Sequence, residues 1–214
     1  MTFLERAADA RVIAILRAPT AERFVAACEV LYEAGCRGIE ITLTTAGAVE
    51  ALAKVRAALP DDAWVGAGTV MTPQDVRATA EAGAQFLVSP VLDRECLAEA
   101  GRLGVPMVPG ALTPSEIVQG FRAGAPAVKV SPIGSVGGVS YLRQVASFLP
   151  DVPMMPTGGV ELADVPAYLA AGAVAVGLGG PLVQDGLAAD GDLEALRRRT
   201  REVVASIGRD EGRA

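Results

Sequence analysis

Short apolar runs alternate with longer Ala-rich segments of helical period along the whole chain, and this alternation constrains the fold more than any other feature. The apolar runs predict strands at residues 12–16, 38–42, 64–68, 85–88, 106–109, 127–130, 153–156 and 174–178. The other segments predict helices near residues 20–34, 47–58, 73–82, 93–103, 114–123, 137–147, 162–171 and 193–207. Eight strand–helix units with short connections predict an α/β fold, a closed (β/α)₈ or TIM barrel. A doubly wound open sheet is the main alternative.

An Ala-Gly repeat supports the barrel. It closes predicted helices directly before strands two, four, six and eight, at Ala34-Gly35-Cys36, Ala82-Gly83-Ala84, Ala123-Gly124-Ala125 and Ala171-Gly172-Ala173. Glycine just past a helix end takes the left-handed conformation at little cost, so we assign these glycines a structural role. Because no linker or shift in composition divides the chain, we expect one domain over residues 1–214. Within it we expect an N-terminal helix over 1–9 and a loose tail over 208–214.

The amino-acid composition excludes several kinds of catalytic site and binding partner. The chain has no histidine, which excludes histidine triads, histidine metal sites and imidazole acid–base catalysis. The net charge is −6, and the Arg cluster near the C-terminus has the spacing of a solvated helix face, so no nucleic-acid partner is expected. No apolar run approaches the roughly 18 residues of a membrane span, so no membrane partner is expected either.

The cysteines Cys28, Cys36 and Cys96 follow no metal-binding or redox spacing. We expect them to be buried free thiols in a reducing compartment. The N-terminus also lacks the layout of a signal peptide. Together these features predict a cytoplasmic enzyme.

Two charged residues are predicted to point into the barrel. Side chains of a barrel strand alternate between the helices and the lumen. In residues 127–131 the two valines are predicted to face the helices, so Lys129 between them points inward. In residues 38–42 the two isoleucines are predicted to face the helices, so Glu40 between them points inward. The only other lysine, Lys54, belongs to an amphipathic helix.

The inward lysine predicts imine chemistry. Burial lowers the pKa of a lysine and favours its neutral amine, which attacks a carbonyl carbon. The alternative is a structural ion pair between Lys129 and Glu40. Glu40 is then either a counter-ion only or a general acid–base group, and because histidine is absent we favour the acid–base role.

Glycine-rich turns follow the last two predicted strands. They are Thr157-Gly158-Gly159 and Gly177-Leu178-Gly179-Gly180. Phosphate sites recur at this place in barrels, because bare backbone N–H groups can approach the anion. Either run alone also suits a simple tight turn, but both together predict a phosphate site. Arg17, at the end of strand one, can add positive potential.

A further turn after strand three, Gly66-Ala67-Gly68-Thr69, offers amides and a hydroxyl to a carboxylate or carbonyl, although a plain glycine-rich turn explains it equally well. Pro90 after strand four and Pro109 after strand five shape the same rim. We interpret these prolines as loop stiffeners first and substrate contacts second.

The sequence resembles the class I aldolases that act on 2-dehydro-3-deoxyphosphogluconate (KDPG) and 4-hydroxy-2-oxoglutarate (KHG). The likeness covers residues 10–183. It rests on Ala14-Ile15-Leu16-Arg17, Gly38-Ile39-Glu40-Ile41-Thr42, Val65-Gly66-Ala67-Gly68-Thr69-Val70, Val88-Ser89-Pro90, Val108-Pro109-Gly110, Val128-Lys129, Pro156-Thr157-Gly158-Gly159 and the glycines of strand eight.

The resemblance implies that Lys129 forms the Schiff base and that Glu40 is the acid–base residue. It implies that Arg17 and Thr69 hold the pyruvyl carboxylate, with Pro90 lining the site. The residues implied in binding the phosphate of the aldehyde half are Thr157, Gly158, Gly159 and Gly180. The resemblance implies no metal and no other cofactor, a small-molecule 2-oxo acid as substrate, and a homotrimer.

Three departures from the family pattern concern substrate choice. Thr44 stands where many members carry arginine, Ser131 where an aromatic residue is usual, and Gly180 where some members have serine. The expected reaction is cleavage of 2-dehydro-3-deoxy-6-phosphogluconate to pyruvate and glyceraldehyde 3-phosphate. Unphosphorylated 4-hydroxy-2-oxoglutarate and the 6-phosphogalactonate epimer remain alternative substrates, and a non-catalytic phosphate-sugar-binding barrel remains an alternative of another class. A metal-dependent aldolase is disfavoured by the missing histidines.

Overall fold

The computed structural model describes residues 1–188 and 190–208. Its strands are β1 (Val12–Leu16), β2 (Gly38–Thr42), β3 (Trp64–Gly68), β4 (Leu87–Val88), β5 (Met107–Val108), β6 (Gly110–Ala111), β7 (Val128–Val130), β8 (Met154–Pro156) and β9 (Val176–Leu178). Its helices are α1 (Phe3–Ala10), α2 (Phe24–Glu33), α3 (Ala48–Ala58), α4 (Pro73–Glu81), α5 (Arg94–Leu103), α6 (Pro114–Arg122), α7 (Gly138–Phe148), α8 (Val165–Ala170), α9 (Gly180–Leu187) and α10 (Leu193–Ser206). Short 3₁₀ helices occupy Ile133–Val136 and Leu162–Asp164.

All strand pairs are parallel. One sheet has the order β5-β4-β3-β2-β1-β9, and a second has the order β6-β7-β8. Isolated bridges from Met154 to Ala173 and from Thr157 to Gly177 connect β8 with β9. The molecule is therefore an α/β fold in which parallel strands form a curled sheet surrounded by helices.

The fifth predicted strand is divided in the structure into β5 and β6. Pro109 separates them, and proline has no N–H group to donate to a ladder. Its carbonyl still accepts a hydrogen bond from the Lys129 N–H group at 2.9 Å, while Gly110 turns to donate to Val91 at 3.3 Å. The proline thus interrupts the ladder without displacing the chain from the sheet.

The strands bury two separate apolar clusters, one on each face of the sheet. On β1, Val12, Ala14 and Leu16 pack against the surrounding helices, whereas Ile13 and Ile15 belong to the inner cluster. Such alternation is the expected consequence of strand geometry. The inner face of the curled sheet therefore has its own core, distinct from the layer between strands and helices.

Helix α1 covers one end of this inner core. Its first turn is held by a capping box in which Thr2 and Glu5 bond reciprocally. The ring of Phe3 packs edge-on against Trp64 at 5.1 Å between centroids, and Trp64 lies 4.3 Å from Phe86. The aromatic group closes the end opposite the glycine-rich turns.

Several local predictions can be compared with the structure. Each Ala-Gly repeat has its glycine just past a helix with positive φ, at Gly35, Gly83, Gly124 and Gly172. The three cysteines are buried and free. One α-helix was not predicted: α9 begins at the end of the glycine-rich turn and continues through a stretch to which the sequence assigned no helix or strand. In the predicted tail, Gly208 is described, whereas residues 209–214 lie outside the described residues.

Among residues 1–188 and 190–208, every helix is too short or too polar to cross a bilayer.

Candidate active site

A cavity of about 620 Å³ opens at the end of the sheet where the strands point their carboxyl termini. The predicted site residues that border it are Arg17, Lys129, Thr157, Gly158, Gly159, Gly179 and Gly180. The structure thus brings together the lysine and both glycine-rich turns. Glu40, Thr69 and Pro90 are not among the residues that border this cavity.

Lys129 occupies the middle of β7. Val128 and Val130 face the surrounding helices, so the lysine side chain points to the inner side and borders the cavity. It is paired with Gly110 on one neighbouring strand and Met155 on the other. The side chain is only partly buried, because the cavity opens onto it. The amine is therefore reachable by a molecule in the cavity, which complete burial would have prevented.

Glu40 occupies the middle of β2 and is 2% exposed. Burial raises the pKa of its carboxyl group, while the positive charges of Lys129 and Arg17 act in the opposite direction. No ion pair joins Glu40 to Lys129 within the described part of the chain, so the structural ion-pair interpretation has no direct contact to support it. A carboxyl group on the inner face of the sheet with a pKa raised by burial is a candidate for proton transfer.

Space for this carboxylate is provided by Gly68 on the adjacent strand. A Cβ atom at position 68 would lie 1.9 Å from Oε1 of Glu40 and 2.5 Å from Cδ. Those separations are far inside van der Waals contact. Gly68 is therefore required by the side chain beside it, and not only by the turn that follows β3.

The backbone on both sides of Arg17 is tied to the loop after β2. The Thr42 hydroxyl donates to the Leu16 carbonyl at 2.9 Å, and the Ala18 N–H group donates to the Thr45 hydroxyl at 3.2 Å. The Arg17 side chain itself is exposed and borders the cavity. Two threonines thus fix the segment that presents this cation.

Thr69 and Pro90 lie on the rim after β3 and β4. Thr69 has a φ of 60°, a left-handed backbone that is strained for a β-branched residue. Such strain concentrates at functional sites. Pro90 is exposed, and Gly110 lies so close that a Cβ there would come within 2.2 Å of the Pro90 carbonyl. Thr69 thus follows β3, which pairs with the strand of Glu40, and Pro90 lies against Gly110, which pairs with Lys129.

The turn after β8 has the form of an anion-binding loop. Gly158 and Gly159 have φ values of 82° and 71°. Within the described residues their N–H groups donate no backbone hydrogen bond, and neither does that of Gly179. Consecutive N–H groups in such conformations form a concavity for an anion.

The segment after β7 holds this loop in place. Ile133 donates to the Thr157 carbonyl at 3.0 Å, and Gly134 donates to the Gly158 carbonyl at 2.9 Å. A Cβ at Gly134 would lie 2.4 Å from the Gly159 carbonyl oxygen, so only glycine allows this approach. The carbonyls of the loop are thus engaged while its N–H groups stay available.

Sequence reasoning missed the part of the cavity wall supplied by α9. This wall consists of Pro181, Val183, Gln184 and Leu187. The start of the helix reads as glycine and proline, and its apolar pattern is too short to predict a helix by periodicity. Ser131, noted only as a departure from the family pattern, also borders the cavity.

The described residues contain no group of three or more Cys, Asp or Glu side chains arranged to hold a metal ion.

The model of the aldolase family described as "KDPG and KHG aldolase" matches residues 4–199. The KHG/KDPG aldolase of Escherichia coli K12 is 35% identical over 193 residues, which is 90% of either chain. The 2-dehydro-3-deoxy-6-phosphogalactonate aldolase of the same organism is 32% identical over 197 residues, or 92% of either chain. These similarities span nearly the whole described structure.

Among solved structures, the chain is similar to the KDPG aldolase of Legionella pneumophila, determined with pyruvate captured at low pH as a covalent carbinolamine intermediate. The TM-score is 0.86 and the sequence identity 28%, with 95% of this chain and 98% of the other covered.

Proposed function

The chain belongs to the KDPG and KHG aldolase family and is an aldolase, and we propose that Lys129 is the residue that forms the imine with a 2-oxo acid. One observation carries this assignment: Lys129 alone of the chain's lysines lies on the inner face of the sheet, with its amine open to the cavity. The other lysine, Lys54, is exposed on α3.

The first half of the reaction forms the imine. The amine of Lys129 attacks C2 of a 2-oxo-4-hydroxy acid to give a carbinolamine, and water leaves as the C=N bond forms. Loss of that water needs a proton delivered to the departing oxygen. Glu40 is the group assigned to supply it, because it is a carboxyl group on the inner face of the sheet whose pKa is raised by burial.

The second half breaks the C3–C4 bond. Glu40, directly or through one water, takes the proton of the C4 hydroxyl. The C3–C4 electron pair moves into the protonated imine, which becomes an enamine, and the aldehyde leaves. A proton then returns to C3, and addition of water to the imine releases pyruvate and regenerates the free amine of Lys129.

Substrate binding divides between the two ends of the cavity. We propose that Arg17 and Thr69 hold the pyruvyl carboxylate and that Pro90 shapes the rim above it. The free N–H groups of Gly158, Gly159 and Gly179 favour a phosphate on the aldehyde half. The preferred substrate is then 2-dehydro-3-deoxy-6-phosphogluconate.

Two other substrates remain candidates, unphosphorylated 4-hydroxy-2-oxoglutarate and the 6-phosphogalactonate epimer. The chain is similar to an aldolase named for KHG and KDPG and to an aldolase named for the phosphogalactonate, which supports both substrates as candidates.

We further propose that β5 and β6 act as one strand, so that eight strands close into a complete barrel within a single domain. The bridges between β8 and β9 and the hydrogen bonds on both sides of Pro109 support this closure. A homotrimer and a cytoplasmic location remain predictions from the sequence.

Trapping with borohydride tests the proposal. Incubation with pyruvate and borohydride should add one reduced pyruvyl group, which peptide mapping should place on Lys129. Lys129→Ala should give no adduct, whereas Lys54→Ala, the matched lysine control, should react like the wild type. A folded wild-type protein without adduct, or with adduct on Lys54, would contradict the assignment and favour a non-catalytic phosphate-sugar-binding barrel.

A further inference from the structure

Helix α9 begins at the edge of the cavity, yet its first turn offers few free donors. Pro181 has no N–H group. The N–H groups of Leu182 and Val183 both donate to the Gly179 carbonyl, at 3.0 and 3.1 Å. Gly180, at the first position of the helix, has no side chain. This helix start therefore differs from the usual anion site, in which several N–H groups remain open.

Gln184 lies one turn after Gly180, on the same face of α9. Residues four apart on a helix are neighbours, so its side chain extends back over Gly180. A Cβ atom at Gly180 would lie 3.3 Å from Oε1 of Gln184. The carboxamide thus lies directly beside Gly180, in tight contact with the position that a side chain there would take.

The carboxamide of Gln184 is exposed, borders the cavity, and has no hydrogen-bond partner among the described residues. An amide carries two N–H donors and a carbonyl acceptor, and rotation about its last torsion exchanges them. Either edge can therefore face a ligand without moving the helix. The cations that border the cavity are Arg17 and Lys129, after β1 and on β7. The part of the wall that α9 supplies, Pro181, Val183, Gln184 and Leu187, carries no charge, and Gln184 is the residue among them with a side-chain hydrogen-bond donor.

We propose that Gln184 is a specificity-determining residue that donates an amide hydrogen bond to the phosphate on the aldehyde half of the substrate. Together with the N–H groups of Gly158, Gly159 and Gly179, it gives the phosphate a set of neutral donors. The assignment rests on the proposed function, because it names the residue that recognises the distal end of that substrate. It also predicts that discrimination between phosphorylated and unphosphorylated substrates depends on α9.

Steady-state kinetics on a matched substrate pair tests this role. The pair is 2-dehydro-3-deoxy-6-phosphogluconate and its unphosphorylated counterpart, with pyruvate release as the readout. Gln184→Ala should lower kcat/KM for the phosphorylated substrate about tenfold, mainly through KM, because one hydrogen bond to a charged group is lost. Gln184→Glu should lower it further, because a carboxylate repels the phosphate.

For the unphosphorylated substrate, both variants should change kcat/KM by less than about twofold, since the lost partner is absent. Gln144→Ala is the matched control: this glutamine is exposed on α7 and does not border the cavity. It should leave the ratio between the two substrates as in the wild type.

Equal losses on both substrates would show a purely structural role for Gln184 and overturn the assignment. So would a Gln184→Ala variant with wild-type kcat/KM on the phosphorylated substrate. In both cases the proposed function would still be supported if the wild-type protein releases pyruvate and forms the adduct on Lys129. A wild-type protein that releases pyruvate from neither substrate and forms no adduct would overturn the proposed function, and this assignment with it.

Discussion

Replacing Gly68 with alanine would move the Glu40 carboxylate without altering its chemistry. The added Cβ would lie 1.9 Å from Oε1, and real Cβ atoms essentially never come closer than 3.0 Å to another atom, so the oxygen must shift by at least about 1.1 Å. The atoms Cδ and Cγ, at 2.5 and 2.8 Å, must also move, so rotation of the carboxylate alone does not relieve the contact.

The displacement of the Glu40 carboxylate in Gly68→Ala should lower kcat. A misplacement of about 1 Å costs roughly 10²-fold in rate, and general acid–base groups contribute about 10²–10⁴-fold. We therefore expect Gly68→Ala to lower kcat about 10²-fold, while pyruvate still forms a borohydride-trapped adduct on Lys129 at long incubation. The assay is pyruvate release coupled to lactate dehydrogenase, with circular dichroism to verify folding.

Gly101→Ala is the matched control. Gly101 lies on α5, and a Cβ there would meet no atom within 4 Å. The substitution should leave kcat unchanged and stabilise the helix by about 0.5–1 kcal/mol.

A folded Gly68→Ala variant with kcat within about threefold of the wild type would refute the positional argument. If Glu40→Gln were also active at that level, the acid–base role of Glu40 would itself be wrong. If only Glu40→Gln lost activity, the glutamate would be needed but able to work from a shifted position.

Two further predictions concern stability. Burial raises the pKa of Glu40 above its ordinary value of 4.5, so the folded state binds more protons than the unfolded state above that pH and loses stability as pH rises through the raised pKa. Glu40→Gln, which cannot ionise, should therefore gain in Tm relative to the wild type as pH increases from 4.5 towards 8, and a pH-independent difference would contradict the reasoning. Phe3 is 8% exposed and packs on Trp64, so Phe3→Ala should cost about 3–5 kcal/mol in urea unfolding followed by the fluorescence of Trp64. Phe148→Ala, at a side chain 57% exposed, should cost much less, and equal costs would show that the inner aromatic group is not a core.

Much of the fold was predictable because it depends on local periodicity. Because side chains alternate along a strand, the isoleucines Ile39 and Ile41 predicted that Glu40 points inward, and the structure has both isoleucines on the helix side. The same rule predicted that Lys129 points inward. The Ala-Gly repeats predicted where helices end, since positive φ favours glycine. These rules act over a few residues, so a single sequence displays them.

Features that depend on neighbouring strands were not predictable. The split at Pro109 depends on the hydrogen-bond partners that the backbone groups of Pro109 and Gly110 find on other segments of the chain. Helix α9 is too short, and too rich in glycine and proline, to show a helical pattern in the sequence. The sequence predicted that Lys129 points inward, but not that the cavity leaves it partly exposed.

The sequence by itself therefore determined the alternation of strands and helices, the inward direction of Lys129 and Glu40, and the presence of two glycine-rich turns. Only the tertiary structure decided that Gly68 makes room for the Glu40 carboxylate, that Thr42 and Thr45 hold the backbone around Arg17, and that α9 contributes a wall of the cavity. The reason is physical. The direction of a side chain follows from its own backbone, whereas the space around it is set by segments far away in the chain.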